Sequence, residues 1–346
     1  MKAAFLVGVR QFEMRDVPAP VAADDGIVIQ VKACGVCGSD LRRWRAGPPT
    51  GVERLALGHE IGAVVTEVGK TVVGYAVGDH LSVAPDVHCG RCYYCARGRF
   101  NLCDSLRFLG NTVGLPGGFA ELMALDGEVL RNGIVHHMPP DMSFIQGALA
   151  EPCSSVLACH EQAGSTLGDT VLVIGAGPIG CLHIMAAKAR GARVILSQRS
   201  KTRRDLARRY GPDLVLDPLV DDVPARVCEA TGGRGADIAI CANPVAATQQ
   251  QAVEAVRKGG RVILFGGLPK ANPMTTLDSN RIHYGEISVI GSFSYHPRHH
   301  EAALDLLQRG IIKAELVTHT FPLHSIDKAF AVADAGDALK VMVLCS

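Results

Sequence analysis

Four cysteines lie close together in a polar segment rich in glycine and arginine. Their spacing is C-x2-C-x2-C-x7-C, and they are Cys89, Cys92, Cys95 and Cys103. Four thiolates suit a closed tetrahedral zinc site that holds a loop without a core of its own. Incidental core cysteines are a poor alternative in so polar a segment, and for an iron–sulfur cluster Asp104 stands where ferredoxin patterns place proline. The segment predicts a structural zinc, with His88 as a neighbour rather than a ligand.

A second group of metal-binding residue types is dispersed along the chain. Cys37 lies in GVCGSD, His59 and Glu60 lie in LGHEIG, and Glu151 lies in GALAEPCSSV. Taken singly, each has an ordinary explanation as a buried cysteine, a core histidine or an exposed glutamate. Together they provide sulfur, nitrogen and oxygen donors, which suit a catalytic zinc with a position left open for water or substrate. We therefore expect two zinc ions in each chain.

The segment VLVIGAGPIG contains the pattern G-x-G-x-x-G, directly after a predicted strand and at the start of a predicted helix. The first glycine allows the tight turn, the second lets the backbone approach a pyrophosphate, and the third lets helix and strand pack closely. The helix N-terminus adds amide donors for the phosphates. A glycine-rich structural turn is the alternative, which the alternating strands that follow disfavour. The predicted dinucleotide-binding residues are Gly175, Gly177, Pro178, Ile179 and Gly180.

The end of the next strand predicts which dinucleotide is bound. An NAD site normally has an acidic residue here, about 20 residues on, which accepts from the ribose hydroxyls. The segment RVILSQRSKTRR offers Gln198, Arg199 and Arg203 instead, and no carboxylate before Asp205. Arginine suits the oxygens of a 2′-phosphate, so NADP is favoured and NAD is the alternative. A solvated basic helix face is the other interpretation, and we expect it for Lys201 and Arg204.

Three stretches of the chain predict different elements. Residues 1–150 are rich in glycine, proline and short alternating apolar runs, which indicate a strand-rich, barrel-like unit. Between residues 166 and 291 near-continuous apolar runs alternate with helix-like segments, which predicts a parallel sheet covered on both faces. The remainder is expected to return to the first unit. The predicted domains are therefore 1–155, 156–291 as an insertion, and 292–346.

The composition argues against several classes of protein. Hydrophobic residues make up 48% and charged residues 20% of the 346 residues, which is ordinary for a globular protein and argues against disorder. A formal net charge of +1 gives no electrostatic reason to expect nucleic acid or an anionic membrane as a partner. No apolar run reaches the roughly 18 residues of a membrane span, and no secretory signal is recognisable. We expect a cytoplasmic protein that binds neither nucleic acid nor membrane.

Five motifs in this order resemble the zinc-containing medium-chain dehydrogenase/reductase family, the zinc alcohol dehydrogenases. They are GVCGSD, GHE, the four-cysteine segment, EPCSSV and VLVIGAGPIG. The resemblance runs essentially from end to end and looks closest to the sorbitol, or polyol, dehydrogenase branch, with threonine and sugar-phosphate dehydrogenases near it. It implies an α/β fold, in which a strand-rich GroES-like catalytic domain carries an inserted Rossmann dinucleotide-binding domain, with zinc and nicotinamide between them. It also implies a homodimer or homotetramer joined through a Rossmann edge strand, for which ISVIGS is the candidate.

The resemblance also implies roles for the dispersed residues. Cys37 and His59 would bind the catalytic zinc, and Glu151 would bind it directly or through water. In relatives, the residue that corresponds to Glu60 either binds the catalytic zinc or contacts one of the zinc ligands. Asp40 corresponds to the acid that orients the zinc-bound histidine. A helix N-cap is the simpler interpretation of Asp40, and the two roles are compatible.

Ser39 matches the hydroxyl residue that begins a proton relay in this family. Many relatives continue the relay with a histidine, where this chain has Arg42 and Arg43. Arginine stays protonated in proteins and cannot pass a proton on. The relay is therefore expected to end elsewhere, with Glu151 and water as candidates. The predicted catalytic residues are Ser39, Glu60 and Glu151.

Two residues are predicted to contact the substrate. Arg43 stands where polyol dehydrogenases often carry a polar aromatic residue, and Tyr295 ends Phe-Ser-Tyr where they have Phe-Arg-Tyr. An arginine that faces the pocket suits a phosphate, sulfonate or carboxylate. Placement on the surface is the alternative for Arg43 and its arginine neighbours. The segment YHPRHH, residues 295–300, is either a second polar wall or the start of a helix, and we expect no metal at its histidines.

The sequence thus predicts a zinc-dependent oxidoreductase that transfers hydride between a secondary alcohol and NADP, or NAD. The small-molecule substrate is expected to be a polyol, sugar or sugar-derived alcohol, with an anionic substrate or threonine as alternatives. A cofactor-binding protein without catalysis is a second hypothesis, which the retained open metal site disfavours. A zinc-free quinone or enone reductase is a third hypothesis, and it is disfavoured because such proteins usually lack both the cysteine segment and GHE.

Overall fold

The computed structural model describes residues 1–336 and 338–345. The chain divides into two compact units, Met1–Ser154 with Tyr295–Ser346, and Ser155–Ser294. None of the helices in this described part combines the length and apolarity needed to cross a membrane. The strands are β1 (Lys2–Gly8), β2 (Gln11–Asp16), β3 (Ile27–Gly35), β4 (Glu60–Val68), β5 (His80–Ala84), β6 (Asp86–Val87), β7 (Arg107–Phe108), β8 (Leu122–Leu125), β9 (Ile134–His137), β10 (Thr170–Ile174), β11 (Arg193–Ser197), β12 (Leu214–Leu216), β13 (Ala236–Cys241), β14 (Val256–Leu264), β15 (Ser288–Gly291), β16 (Val317–Pro322) and β17 (Lys340–Leu344). The helices are α1 (Gly38–Ala46), α2 (Gly127–Asn132), α3 (Phe144–Ala163), α4 (Pro178–Ala189), α5 (Lys201–Ala207), α6 (Val223–Ala230), α7 (Ala246–Ala255), α8 (Ser279–Gly285), α9 (Pro297–Gln308) and α10 (Ile326–Ala335).

The main sheet of the first unit is antiparallel apart from one edge pair. Its strand order is β16-β17-β3-β4-β5-β9, with β8 also paired to β3, and β16 and β17 run parallel. β3 lies at the centre and is buried along most of its length, which explains its nearly continuous apolar sequence IVIQVKACG. α1 begins three residues after β3 ends, so the sheet fixes the position of its first turn.

Aromatic packing holds α1 against this core. Phe330 of α10 is fully buried, and its ring centroid lies 5.7 Å from that of Trp44 in α1. The same ring lies 4.7 Å from Phe12 and 5.6 Å from Phe119. Tilted and edge-on contacts at these distances are favourable arrangements for aromatic rings. The buried Trp44 therefore anchors one face of α1.

The second unit contains a six-stranded sheet with the order β12-β11-β10-β13-β14-β15. All of its pairs are parallel, and helices join successive strands, as the near-continuous apolar runs predict. β10 is the first of these strands in sequence. β11 and β12 follow on one side of it, and β13, β14 and β15 lie on the other side. Ligands of such sheets bind beyond the carboxyl ends of the strands where the order reverses, which here is between β10 and β13.

Candidate functional site

The four clustered cysteines come together in the first unit. The sulfur atoms of Cys89, Cys92, Cys95 and Cys103 all lie within 4.8 Å of one another. The amides of Cys89 and Ser105 donate to Cys103 Sγ at 3.2 and 3.4 Å. Hydrogen bonds from the amides of Cys95 and Asp104 lower the pKa of Cys92 to about 6, which favours the thiolate that a metal needs. Four sulfurs fit a tetrahedral zinc with no open position.

Three of the dispersed residues form a second compact group. Ligand atoms of Cys37, His59 and Glu60 lie within 4.8 Å of one another. Gly35, the last residue of β3, pairs with Glu60, the first residue of β4, and Cys37 is the N-cap of α1. Pairing of the two strands therefore brings GVCGSD beside LGHEIG. One sulfur, one nitrogen and one oxygen suit a zinc with a position left for another ligand.

Two polar side chains orient the imidazole of His59. Asp40 Oδ1 lies 3.3 Å from His59 Nδ1, and Ser39 Oγ lies 3.3 Å from His59 Nε2. Burial lowers the pKa of His59, but the charge and hydrogen bond of Asp40, together with those of Cys37, outweigh this effect, and the pKa lies well above its ordinary value. Asp40 is not the N-cap of α1, which is Cys37; it accepts a hydrogen bond from the Cys37 amide at 3.0 Å. Asp40 thus caps the helix from within its first turn and orients the histidine at the same time.

Glu60 has a buried partner that sequence reasoning missed. The ammonium group of Lys340 lies 2.6 Å from Glu60 Oε1 and 2.5 Å from Oε2, and it also donates to the carbonyl of Val36 at 2.9 Å. A Cβ atom on Gly35 would lie 1.9 Å from Glu60 Oε2, so only glycine leaves room for this carboxylate. Lys340 is in β17, most of the chain away from β4, and no local spacing signals the pair.

Glu151 lies outside the compact group of Cys37, His59 and Glu60. It is buried in α3, and its Oε1 accepts a hydrogen bond from the hydroxyl of Tyr295 at 2.9 Å. Burial and the charge of Glu60 raise the pKa of Glu151 to about 7. The Glu151 carboxylate therefore lies near the group of Cys37, His59 and Glu60 without belonging to it. Its own hydrogen-bond partner is Tyr295.

The two predicted substrate residues differ in exposure. Tyr295 is only 3% exposed, whereas Arg43 of α1 is half-buried, with its Nε shielded from solvent. His296 is the N-cap of α9, and its Nδ1 accepts a hydrogen bond from the amide of Arg298 at 3.2 Å. Residues 295–300 therefore form the start of a helix, which is one of the two interpretations that the sequence allowed.

The glycine motif of the second unit joins β10 to α4. Gly175 has φ +111°, a conformation that favours glycine, and a Cβ atom on Gly180 would lie 1.9 Å from the carbonyl oxygen of Gly175. Gly177 is the N-cap of α4, Pro178 occupies its first turn and Ile179 follows. Proline suits this position because its missing amide hydrogen is not needed there. The Gly175 amide donates to the carbonyl of Ser197 at 2.9 Å, whereas the amides of the first turn of α4 have no acceptor within the helix and would be available for phosphate oxygens.

The residues that follow β11 include arginines, one of which lies near the glycine turn. Gln198 is buried, and its Oε1 accepts a hydrogen bond from the amide of Ser200 at 3.0 Å. Arg199 is exposed, and Arg203 is half-buried in α5. A Cβ atom placed on Gly177 would lie 4.0 Å from Arg203 Nη1. The Arg203 guanidinium is thus close to the turn that would receive phosphates.

The prediction of a solvated Arg204 was wrong. Its Nη1 donates to the carbonyls of Gln198 and Arg199, at 2.7 Å each. Its Nη2 lies 2.7 Å from Asp217 Oδ2. The Arg204 side chain is only 14% exposed, so its donors need acceptors within the protein, and the loop after β11 supplies them. Arg204 therefore holds the backbone of the predicted ribose-binding segment.

Residues 23–140 match the family of alcohol dehydrogenase GroES-like domains, and residues 178–309 match the zinc-binding dehydrogenase family. The sorbitol dehydrogenase of Halalkalibacterium halodurans is 32% identical over 340 residues, which cover 97% of this chain and 96% of that protein. The chain belongs to the zinc-binding dehydrogenase family. This dehydrogenase is also 32% identical to the D-arabitol-phosphate dehydrogenase of Enterococcus avium, over 97% of this chain and 94% of the relative. The crystal structure of a zinc-binding dehydrogenase from Sinorhizobium meliloti bound to NADP superimposes with a TM-score of 0.90 at 31% identity, over 99% of this chain and 98% of that one.

These similarities confirm the predicted family, near the polyol dehydrogenase branch, and the predicted fold class. This dehydrogenase is a zinc-dependent oxidoreductase with a GroES-like and a Rossmann domain. The hypotheses of a non-catalytic protein and of a zinc-free reductase lose their support. The roles of the individual residues stay predictions.

Proposed function

We propose that this dehydrogenase oxidises a secondary alcohol of the polyol or sugar type, or reduces the corresponding ketone, with zinc and NADP. The observation that carries the proposal is the compact group of Cys37, His59 and Glu60. Similarity to a sorbitol dehydrogenase and to an arabitol-phosphate dehydrogenase supports the substrate type. Cys89, Cys92, Cys95 and Cys103 would hold a second, structural zinc.

The residues of the first group have distinct roles in this proposal. When bound there, zinc would supply Lewis-acid chemistry that lowers the pKa of an alcohol. Asp40 fixes the ring of His59, so that Nε2 remains for a ligand bond. Ser39, whose Oγ lies 3.3 Å from that nitrogen, would accept the proton of the alcohol. Glu151, held by Tyr295, is the proposed next acceptor through water.

The unit Ser155–Ser294 is the proposed coenzyme-binding domain, and the other unit is the proposed catalytic domain. No carboxylate follows β11 before Asp205, and Arg203 lies beside the glycine turn. An arginine favours a 2′-phosphate, and an acid would repel it. The bound NADP of the Sinorhizobium meliloti relative supports the same choice.

Assembly as a homodimer or homotetramer is part of the proposal. β15 is an edge strand of the parallel sheet, and its sequence SVIG has half-buried residues between two exposed ends. An apolar strand with unpaired backbone groups is a ready template for another copy. Sedimentation equilibrium of the purified protein would measure the number of chains.

A cytoplasmic location is also proposed. The cysteines of residues 1–336 and 338–345 are all free thiols, as is usual in a reducing compartment. Fractionation of the source cells would test it.

The deciding experiment offers NADP and NAD separately to the zinc-loaded enzyme. Sorbitol, ribitol, butanediol, threonine and phosphorylated polyols are the substrates, and kcat/KM is measured for each pair. We expect the highest value with a polyol-type alcohol and NADP. Gln198→Asp should shift the ratio of kcat/KM toward NAD, because a carboxylate accepts from ribose hydroxyls and repels a phosphate. A higher kcat/KM with NAD in the wild type would overturn the coenzyme assignment.

A further inference from the structure

Three arginines lie on α1, five to eight residues after the proposed zinc ligand Cys37, and they differ in their surroundings. Arg42 is exposed to solvent. Arg45 Nε donates to Asp334 Oδ1 at 2.7 Å, so its guanidinium is paired with a carboxylate. Arg43 is half-buried with its Nε shielded from solvent. Over the residues that the structure describes, Arg43 has neither a hydrogen bond nor an ion pair.

Helix geometry relates Arg43 to Ser39, which contacts the group of Cys37, His59 and Glu60. Arg43 follows Ser39 by four residues, and residues at this spacing lie on one helix face, roughly 5–6 Å apart at Cβ. Side chains on a helix lean toward its N-terminus, so Arg43 leans toward Ser39. Ser39 Oγ itself lies 3.3 Å from His59 Nε2. A different face, with Asp40 and Trp44, packs into the core.

The Nε of Arg43 is shielded from solvent without a partner, which is unfavourable, and an anion bound by the guanidinium would remove that cost. The planar fork of arginine donates two parallel hydrogen bonds to a phosphate or a carboxylate. A short bifunctional molecule, with an alcohol at one end and an anionic group at the other, suits a helix face on which Arg43 follows Ser39 by one turn.

We infer that Arg43 binds an anionic group of the substrate, so that the preferred substrate is a polyol that carries a phosphate or a carboxylate. This inference rests on the proposed function and names the substrate class of that same site. The alcohol would lie at Cys37 and His59, with the anionic end at Arg43. A neutral polyol would leave the Arg43 charge unpartnered and should be a poorer substrate.

The test compares matched substrates: ribitol, ribitol 5-phosphate and ribonate, each with saturating NADP. In the wild type we expect kcat/KM for an anionic substrate to exceed that for ribitol by about 10-fold or more. In Arg43→Gln this ratio should fall by about 10- to 100-fold, the effect of losing charged hydrogen bonds. Arg43→Lys should give an intermediate ratio, because it keeps the charge without the fork. Arg45→Gln is the matched control on the same helix, and it should keep the wild-type ratio.

A binding measurement gives a readout that does not depend on turnover. Titration calorimetry of ribitol 5-phosphate into the zinc-loaded, coenzyme-free protein should give a Kd that rises with salt concentration. The Kd should rise about 10- to 100-fold in Arg43→Gln, and it should not change in Arg45→Gln. Preference for ribonate over the phosphate would support the inference in its carboxylate form.

Three results would overturn the inference. The first is that the wild type has equal kcat/KM values for ribitol and for both anionic substrates. The second is that Arg43→Gln lowers kcat/KM equally for all three substrates, which would indicate a structural role. A raised KM for NADP with an unchanged substrate ratio is the third, because it would assign Arg43 to the coenzyme phosphates. If no alcohol is oxidised at all but the phosphate binds through Arg43, the proposed function fails and the anion site stands.

Discussion

The ring of Phe100 stacks on the imidazole of His88, with centroids 4.1 Å apart and 9° between the planes. The same phenyl ring lies 5.0 Å from the ring of His296. His88 Nδ1 accepts a hydrogen bond from the amide of Gly90, within the four-cysteine segment. His296 follows Tyr295 in sequence, and Tyr295 holds Glu151. Phe100 therefore connects the cysteine segment to the residues that support Glu151.

Phe100→Ala should weaken this connection without removing a zinc ligand. We expect the free energy of unfolding to fall by about 1–2 kcal/mol, from the lost ring contacts and burial. The KM for the alcohol should rise more than the KM for NADP, because Tyr295 loses support. Urea unfolding and steady-state kinetics measure these effects. Tyr93→Ala, in the same segment but 62% exposed, is the control, and equal effects of the two changes would argue against the connection.

Lys340→Met should destabilise the protein strongly. It removes the ammonium group that neutralises the buried carboxylate of Glu60, and breaking a buried pair in this way costs about 3–5 kcal/mol. The double variant Lys340→Met with Glu60→Gln should recover much of the loss, because no buried charge is left. The measurement is the free energy of unfolding in urea.

Lys70→Met is the matched control for this change, because Lys70 pairs with Asp24 at the surface and its side chain is 87% exposed. A surface pair of this kind contributes about 0–1 kcal/mol. If Lys340→Met cost no more than Lys70→Met, the Lys340–Glu60 pair would have no importance for the fold.

Acid should destabilise the second unit through two buried histidines. His160 and His183 contact each other, with His160 Nε2 3.3 Å from His183 Nδ1. Burial lowers the pKa of His160 to about 4, and it lowers the pKa of His183 well below its ordinary value. The unfolded chain binds protons on both rings below about pH 6.5, whereas the folded chain resists them. Their contribution to stability is complete above that pH and is lost as the pH falls toward 4.

The size of this effect can be measured from urea unfolding at pH 7, 6 and 5. Each ring should add a slope of up to about 1.4 kcal/mol per pH unit between its unfolded and folded pKa values. His183→Met should reduce the slope, because it removes one proton uptake. His283→Gln replaces an exposed ring and should leave it unchanged. Identical slopes for wild type and His183→Met would exclude this source of acid sensitivity.

The parts of the site that lie in short motifs could be predicted from sequence. His59 and Glu60 are adjacent, and Gly175 and Gly180 follow a strand directly, so local geometry almost determines where their atoms lie. Cys37 joins His59 because two consecutive strands pair at their ends. Residue type and spacing carry this information without knowledge of the rest of the fold.

Contacts between distant segments could not be predicted in this way. The partner of Glu60 is Lys340, 280 positions away, and a single lysine in a C-terminal strand has no pattern that marks it. Arg204 was predicted to be solvated because its helix is basic, but tertiary packing turns it to the carbonyls after β11. Glu151 occurs in a recognisable motif, yet the sequence did not indicate that its carboxylate would be bound by Tyr295.

Removing one cysteine from each proposed zinc site should affect turnover in one case and stability in the other. Cys37→Ala should abolish turnover and lower the bound zinc from two ions to one per chain, while the free energy of unfolding changes little. Cys95→Ala should also lower the zinc content, but through the structural ion, so the unfolding free energy should fall with it. Metal analysis, kinetics and urea unfolding on the same preparations separate the two cases.

Cys181→Ala is the control for both changes, because Cys181 is a fully buried thiol outside either group. It should keep two zinc ions and most of the activity, with only the small loss of stability expected from a smaller core side chain. The contrast depends on the separation of the groups, since Cys37 shares its site with His59 and Glu60, whereas Cys95 is surrounded by other cysteines. Full stability and full zinc content in Cys95→Ala would contradict the structural zinc, and undiminished turnover in Cys37→Ala would contradict the catalytic one.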